Sequence, residues 1–141
     1  MTESTPTRAE RNNNPLNIRA ISPHYWDGQV GIDDDGFATF ESPDKGFRAV
    51  FINLYSYRTG KRLWTIRDIV SSWAPPGSNP TQGYIGFVSS WMERPPRQRL
   101  TWPYEYPALV CAMATFESGG FDFREVALFE GLTQALEHIE K

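Results

Sequence analysis

The sequence is poor in cysteine and has no long apolar run. Its single cysteine, Cys111, cannot form a disulfide within the chain, which excludes a disulfide-stabilised secreted scaffold. Residues 1–11 are polar and lack the apolar middle region of a signal peptide, so we expect no secretory export. The longest apolar stretch, residues 108–116, is too short to cross a bilayer. We therefore expect no insertion into a membrane.

The charges are also spread out. The 14 basic and 17 acidic residues give a formal net charge of -3 without a basic block, so we expect no nucleic-acid partner. His24 and His138 lie far apart and have no cysteine nearby, which does not fit a zinc site. The run Asp33-Asp34-Asp35 lacks the spacing of a helix-loop-helix calcium site. We expect neither a metal nor a cofactor.

Local signals predict an α+β domain that is mainly helical. A turn around Asp33–Gly36 predicts one hairpin over residues 29–40. Capping residues, apolar spacing and proline breaks predict helices at about 42–58, 65–73, 81–93 and 104–116. Residues 124–141 favour two helical stretches broken at Gly131. The chain length favours a single domain over residues 8–141 after a disordered tail at 1–7.

Glu117 is the strongest candidate for a catalytic residue. It ends the most apolar helical segment, and apolar surroundings keep a carboxyl group in its neutral, proton-bearing form. Such a group can protonate the leaving oxygen of a glycosidic bond. Ser118 and the two glycines after it leave room for a substrate beside the acid. The alternative is an ordinary solvated glutamate at a helix end.

A second candidate element is the run Arg11-Asn12-Asn13-Asn14. Side-chain amides donate and accept together, which suits the hydroxyl and acetamido groups of a sugar, and an arginine can orient a carboxylate. The alternative is a helix cap or an asparagine-rich turn. Glu10, directly before this run, is a rival catalytic acid, but nothing in its polar segment would raise its pKa.

These segments and several others resemble a family of phage-encoded, virion-associated lysozyme-like proteins known as phage structural proteins. The family pattern is Arg-Asn-Asn-Asn-Pro-Gly-Asn-Ile-Arg, then Trp-x-Gly, Phe-x-x-Phe, Gly-x-Arg-Ala and Trp-Ala-Pro-Pro, with Asn-x-Thr-x-x-Tyr last. This chain matches at 11–19, 26–28, 37–40, 46–49 and 73–76, and at Asn79, Thr81 and Tyr84. One departure is Leu16, where the family has glycine. A weaker similarity to lytic transglycosylases and glucosaminidases suggests a circular permutation of the lysozyme superfamily.

The resemblance implies a lysozyme-like fold and an enzyme of the phage particle. Such an enzyme would cleave the bond between N-acetylmuramic acid and N-acetylglucosamine in peptidoglycan, as a lytic transglycosylase or a muramidase. Glu117 would be the general acid and then the base, and Trp26, Trp73 and Tyr84 would line the glycan cleft with the asparagines. The candidates for the second carboxylate that a hydrolase needs are Asp27 and Glu41. The implied partners are glycan strands and other virion proteins.

The alternative function is a virion structural or assembly protein whose lysozyme-like fold no longer catalyses. Exposed tryptophans and the proline-rich segment 94–103 would then serve contacts with other proteins. The hypothesis of an enzyme requires that folding brings Glu117 and the asparagine run to one cleft. The hypothesis of a virion structural protein has no such requirement.

Overall fold

The structure is a computed structural model that describes residues 5–21, 24–77, 79–120 and 123–140. These residues form six helices and one two-stranded antiparallel sheet, which confirms the predicted α+β, mainly helical class. In chain order the elements are α1 (Arg8–Asn12), β1 (Gln29–Ile32), β2 (Ala38–Phe40), α2 (Pro43–Gly60), α3 (Ile66–Trp73), α4 (Thr81–Met92), α5 (Tyr106–Ser118) and α6 (Glu125–Ile139). None of the helices in the described ranges is long and apolar enough to span a membrane.

The chain divides into two compact units. The first unit comprises Met1–Ile52 and Asp122–Lys141, and the second comprises Asn53–Phe121, so the boundary falls within α2. This division does not test the expected single domain over residues 8–141, which stays a prediction. Of the expected tail at 1–7, residues 1–4 lie outside the described part, and Thr7 caps α1.

The first unit contains the hairpin and α1. The strands pair with Gln29 opposite Phe40 and Ile32 opposite Ala38, and the register shifts between Gln29 and Gly31. Leu16, which replaces the family glycine, is only 1% exposed and does not adopt the left-handed backbone region. This position therefore serves the core of the unit and does not need the conformational freedom of glycine.

The predicted break at Gly131 is wrong, because α6 continues through it as one helix. A Cβ atom at this position would lie 2.5 Å from Cβ of Phe47 and 2.8 Å from the backbone oxygen of Asp44. Glycine is present here because α6 approaches the backbone of α2 too closely for any side chain. Glycine occurs both at such close contacts between helices and at the ends of helices, so the sequence alone does not tell the two apart.

The second unit is built from the end of α2 and from α3, α4 and α5. Thr65 caps α3 through its hydroxyl oxygen, which accepts from the backbone N–H of Asp68 at 3.1 Å. α4 packs against both α3 and α5. The core side chains of this unit that are fully buried include Leu54, Ile66, Ile69, Val70, Val88, Tyr106, Leu109, Val110 and Met113. The apolar helix predicted around 104–116 is therefore a central helix of this unit, and it ends two residues later than expected.

Candidate active site

Glu117 lies in the last turn of α5. Gly119 follows with φ of 77°, a left-handed conformation that suits glycine and ends the helix. The side chain is partly buried. A carboxylate in the last turn faces the negative end of the helix dipole, so this position adds to the cost of ionising the group.

Tyr84 of α4 donates its phenolic hydrogen bond to Oε2 of Glu117 at 3.0 Å. The tyrosine is only 2% exposed, and its ring stacks on Phe116 with centroids 4.3 Å apart. Because the ring is fixed by this packing, the hydroxyl is held at the carboxyl group. Glu117 is thus oriented by a side chain that precedes it by 33 residues.

Burial raises the pKa of Glu117 to about 7. Hydrogen bonds from Tyr84 and from the side chain of Trp73 favour the carboxylate and oppose this rise without cancelling it. Burial, with the charge of Glu117 next to it, also raises the pKa of Tyr84, so the phenol stays a donor. Near neutral pH the pair therefore holds a carboxyl group that can both release and accept a proton.

The loop between α3 and α4 positions Trp73 and Tyr84. The hydroxyl of Thr81 donates to the backbone oxygen of Ala74 at 2.6 Å, and the amide of Asn79 donates to that of Pro75 at 2.8 Å. These are residues of the Trp-Ala-Pro-Pro and Asn-x-Thr-x-x-Tyr motifs. The motifs thus fold one loop that brings two aromatic residues to Glu117.

The side-chain hydroxyl of Ser118 makes no hydrogen bond within the described residues. Its Oγ is buried and has no hydrogen-bond partner among the residues that the structure describes. A buried hydroxyl without a partner is costly unless a ligand or water completes it. The hydrogen bonding of this hydroxyl, next in sequence to Glu117, is therefore incomplete within the described residues.

The asparagine run lies in the first unit, and its amides are bonded within that unit. Asn14 is fully buried: its Nδ2 donates to the backbone oxygens of Ile18 and Ala38 at 3.0 and 2.9 Å, and its Oδ1 accepts from the N–H of Ile18 at 2.8 Å. Asn12 donates to Asp33 at 2.9 Å, and Asn13 donates to the backbone oxygen of Phe40 at 3.0 Å. These bonds join α1 to the hairpin.

The other candidates of the first unit also have framework contacts. Glu10 closes a capping box with Thr7, accepting from its backbone N–H at 3.1 Å. Arg11 is exposed and donates to the backbone oxygen of Pro6 at 2.9 Å, which leaves other guanidinium donors available. Trp26 is partly buried at the start of the hairpin. The roles predicted for Glu10, Arg11 and Trp26 in catalysis or binding stay predictions.

The structure thus brings together four of the predicted residues within the second unit: Trp73, Tyr84, Glu117 and Ser118. Sequence reasoning assigned Tyr84 to a cleft wall and missed its bond to Glu117. It also missed Phe116, whose ring fixes Tyr84. Over the described ranges, no group of three or more His, Cys, Asp or Glu side chains could hold a metal ion.

The chain is similar to a known phage protein. No protein-family model matches the chain. Protein P5 of Pseudoalteromonas phage PM2 is 38% identical over 115 residues, which cover 79% of this chain and 71% of protein P5. The chain belongs to the family of this phage protein. The relationship to phage proteins expected from the motifs is confirmed at this level.

Proposed function

We propose that this P5-family protein is a virion-associated enzyme that cleaves the bond between N-acetylmuramic acid and N-acetylglucosamine in peptidoglycan. The observation that supports the proposal most directly is the partly buried Glu117, with its pKa raised to about 7 and its carboxyl group bonded to Tyr84. Protonation of a glycosidic oxygen needs a carboxylic acid that is still neutral at the working pH. Glu117 meets this requirement.

The reaction assigned to Glu117 has two proton transfers. The neutral acid first gives its proton to the glycosidic oxygen as the bond to the anomeric carbon of the muramic residue breaks. The resulting carboxylate then takes the proton of the C6 hydroxyl of that residue, whose oxygen bonds to the anomeric carbon and forms an anhydro ring. This lytic transglycosylase route needs one protein carboxylate, whereas a hydrolase needs a second one to activate water or to act as a nucleophile.

Tyr84 has a positioning role in this scheme. Its hydrogen bond favours the carboxylate form of Glu117, so it stabilises the state that follows the first proton transfer. Trp73 and the free hydroxyl of Ser118 are the proposed sugar contacts of the second unit. Trp26, Arg11, Asn12 and Asn13 remain predicted glycan contacts of the first unit, whereas Asn14, also predicted as one, is fully buried with its amide bonded inside the fold.

Membership of a phage protein family supports a place in the virion. We infer that the protein is held there by other virion proteins and opens the cell wall during infection.

Clearing of purified peptidoglycan tests the proposal. We expect Glu117→Gln to reduce the rate by about 10²- to 10⁴-fold, because glutamine cannot transfer the proton. Glu93→Gln is the matched control, since this exposed glutamate of the second unit contributes only backbone bonds at the end of α4. Equal clearing by the wild type and Glu117→Gln would remove Glu117 from the mechanism. Anhydro ends in the released fragments indicate a transglycosylase, and reducing ends indicate a hydrolase.

A catalytically inactive virion structural protein is the second candidate function. The observation that favours it is the internal bonding of Asn12, Asn13 and Asn14, whose amides serve the fold of the first unit. Under this hypothesis, the wild type should not clear purified peptidoglycan. Phage carrying Glu117→Gln should also infect as well as the parent.

A further inference from the structure

A cleft of about 470 Å³ lies on the second unit, and neither Tyr84 nor Glu117 lines it. It is formed by the first turns of α3 and α4 and by the proline-rich loop after α4. Its lining residues are Arg67, Gln82, Ile85, Pro95, Pro96 and Arg97. The volume is within the range of small-ligand sites.

The charge of the cleft is of one sign. Arg67 and Arg97 are its only charged lining residues, both are exposed, and neither side chain bonds to an acidic group within the described ranges. By contrast, Arg94 in the same loop is paired with Glu105 at 3.4 Å. Two guanidinium groups without an acidic partner that line one cleft favour the binding of an anion there.

The second unit as a whole also carries an excess of positive charge. Seven of the 14 basic residues but only four of the 17 acidic ones lie in Asn53–Phe121, which gives this unit a formal charge of +3. The remainder of the chain carries -6. An anion that approaches the protein is therefore attracted to the second unit.

The wall of the cleft is fixed by backbone bonds. The N–H of Arg67 donates to the oxygen of Pro96 at 3.0 Å, and that of Leu100 donates to the oxygen of Trp64 at 2.8 Å. Arg99 lies over the ring of Trp64, 4.2 Å from its centroid. Because two backbone bonds tie the loop to the start of α3, little ordering is needed when a ligand binds.

We propose that the Arg67–Arg97 cleft binds the carboxylate-bearing peptides of the cell-wall polymer. The inference rests on the proposed function, which makes peptidoglycan the substrate. The guanidinium groups suit the free carboxylates of such a peptide, and the amide of Gln82 suits its backbone. Ile85 and the two prolines offer an apolar surface for its side chains. Nucleic acid fits less well, because it needs a long basic stripe and the whole chain is acidic.

Binding by the inactive Glu117→Gln protein tests this inference without cleavage. The probe is soluble peptidoglycan fragments that carry their peptides, compared with the same fragments after an amidase has removed them. We expect Arg67→Gln/Arg97→Gln, added to this background, to weaken binding of the peptide-bearing fragments by about tenfold or more. Binding of the stripped glycan should not change.

Lys61→Gln/Arg62→Gln is the matched control, because it removes the same charge from the same unit outside the cleft. Arg67→Lys/Arg97→Lys should bind with intermediate affinity, since lysine keeps the charge but loses the two-pronged geometry. Equal loss in the Lys61/Arg62 control, or equal loss on stripped glycan, would overturn the peptide assignment. So would unchanged binding by Arg67→Gln/Arg97→Gln, or no binding to either probe. Absence of fragment release by the wild type would refute the proposed cleavage and leave this binding result standing.

Discussion

Two carboxyl groups in the molecule have opposite surroundings. Asp33 of the hairpin accepts hydrogen bonds from the backbone N–H groups of Phe37 and Asp35 and from the amide of Asn12, each at 2.9 Å. These bonds, of which the Phe37 bond has the largest effect, lower the pKa of Asp33. Glu117 is partly buried and accepts a hydrogen bond from Tyr84 at 3.0 Å, and burial raises its pKa to about 7.

The difference shows that the two carboxyl groups have different roles. In the first unit, the hydrogen bonds of Asp33 favour its carboxylate, so Asp33 stays ionised as part of the framework. In the second unit, the burial of Glu117 is not offset by its hydrogen bonds, and Ser118 keeps a buried hydroxyl without a partner in the described chain. Uncompensated groups of this kind are typical of sites that complete their bonding with a substrate.

The largest effect is expected in the first unit, from loss of the hydrogen bonds of Asn14. Asn14→Ala removes three hydrogen bonds and leaves the buried N–H of Ile18 without its acceptor. We expect the free energy of unfolding to fall by about 2–4 kcal/mol. Denaturant unfolding measures this, with Asn53→Ala on α2 as the control that should change little. An equally small change in both variants would show that the Asn14 bonds do not hold the first unit together.

An effect of comparable size is expected from pH at the other carboxyl group. Between its ordinary pKa of 4.5 and its folded pKa of about 7, Glu117 binds more protons in the folded state than in the unfolded state. Its contribution to stability is therefore complete below pH 4.5 and is lost as the pH rises through 7. The loss over this window amounts to about 3 kcal/mol.

Unfolding of the wild type and Glu117→Gln at several pH values isolates this contribution. The variant should lack the decline between pH 4.5 and 7, because glutamine does not titrate. Parallel curves for the two proteins over this range would mean that the folded and unfolded forms ionise Glu117 alike.

The smallest effect is expected at Tyr84. Tyr84→Phe removes the hydrogen bond that favours the carboxylate, so the pKa of Glu117 should rise further, by about one unit or less. The pH profile of peptidoglycan cleavage should shift to higher pH by the same amount. Tyr55→Phe is a suitable control because Tyr55 packs against Trp102 and does not contact Glu117. A profile that shifts equally in both variants would deny Tyr84 a positioning role.

Local signals in the sequence were sufficient for most of the secondary structure. The acidic turn and the cap at Thr65 depend on neighbouring residues, so the hairpin and α3 could be predicted. The continuity of α6 could not, because Gly131 is required by contact with residues more than 80 positions earlier.

In the candidate site, too, local sequence patterns could predict some features and not others. The apolar character of α5 is local and pointed to Glu117. Its bond with Tyr84 depends on how α4 packs against α5, which no local pattern states. The asparagine run was ambiguous, since an amide suits a sugar and a backbone equally well. Only the contacts of Asn14 showed that its hydrogen bonds are satisfied within the fold.

The titration of the Glu117 carboxyl carbon, followed by ¹³C NMR in the full chain, tests the central claim most directly. Assignment comes from the signal that disappears in Glu117→Gln. The account predicts a midpoint at about pH 7, because burial disfavours the carboxylate. A midpoint at the ordinary glutamate value of about 4.5 would contradict it, since Glu117 would then be ionised near neutral pH and could not act as the general acid.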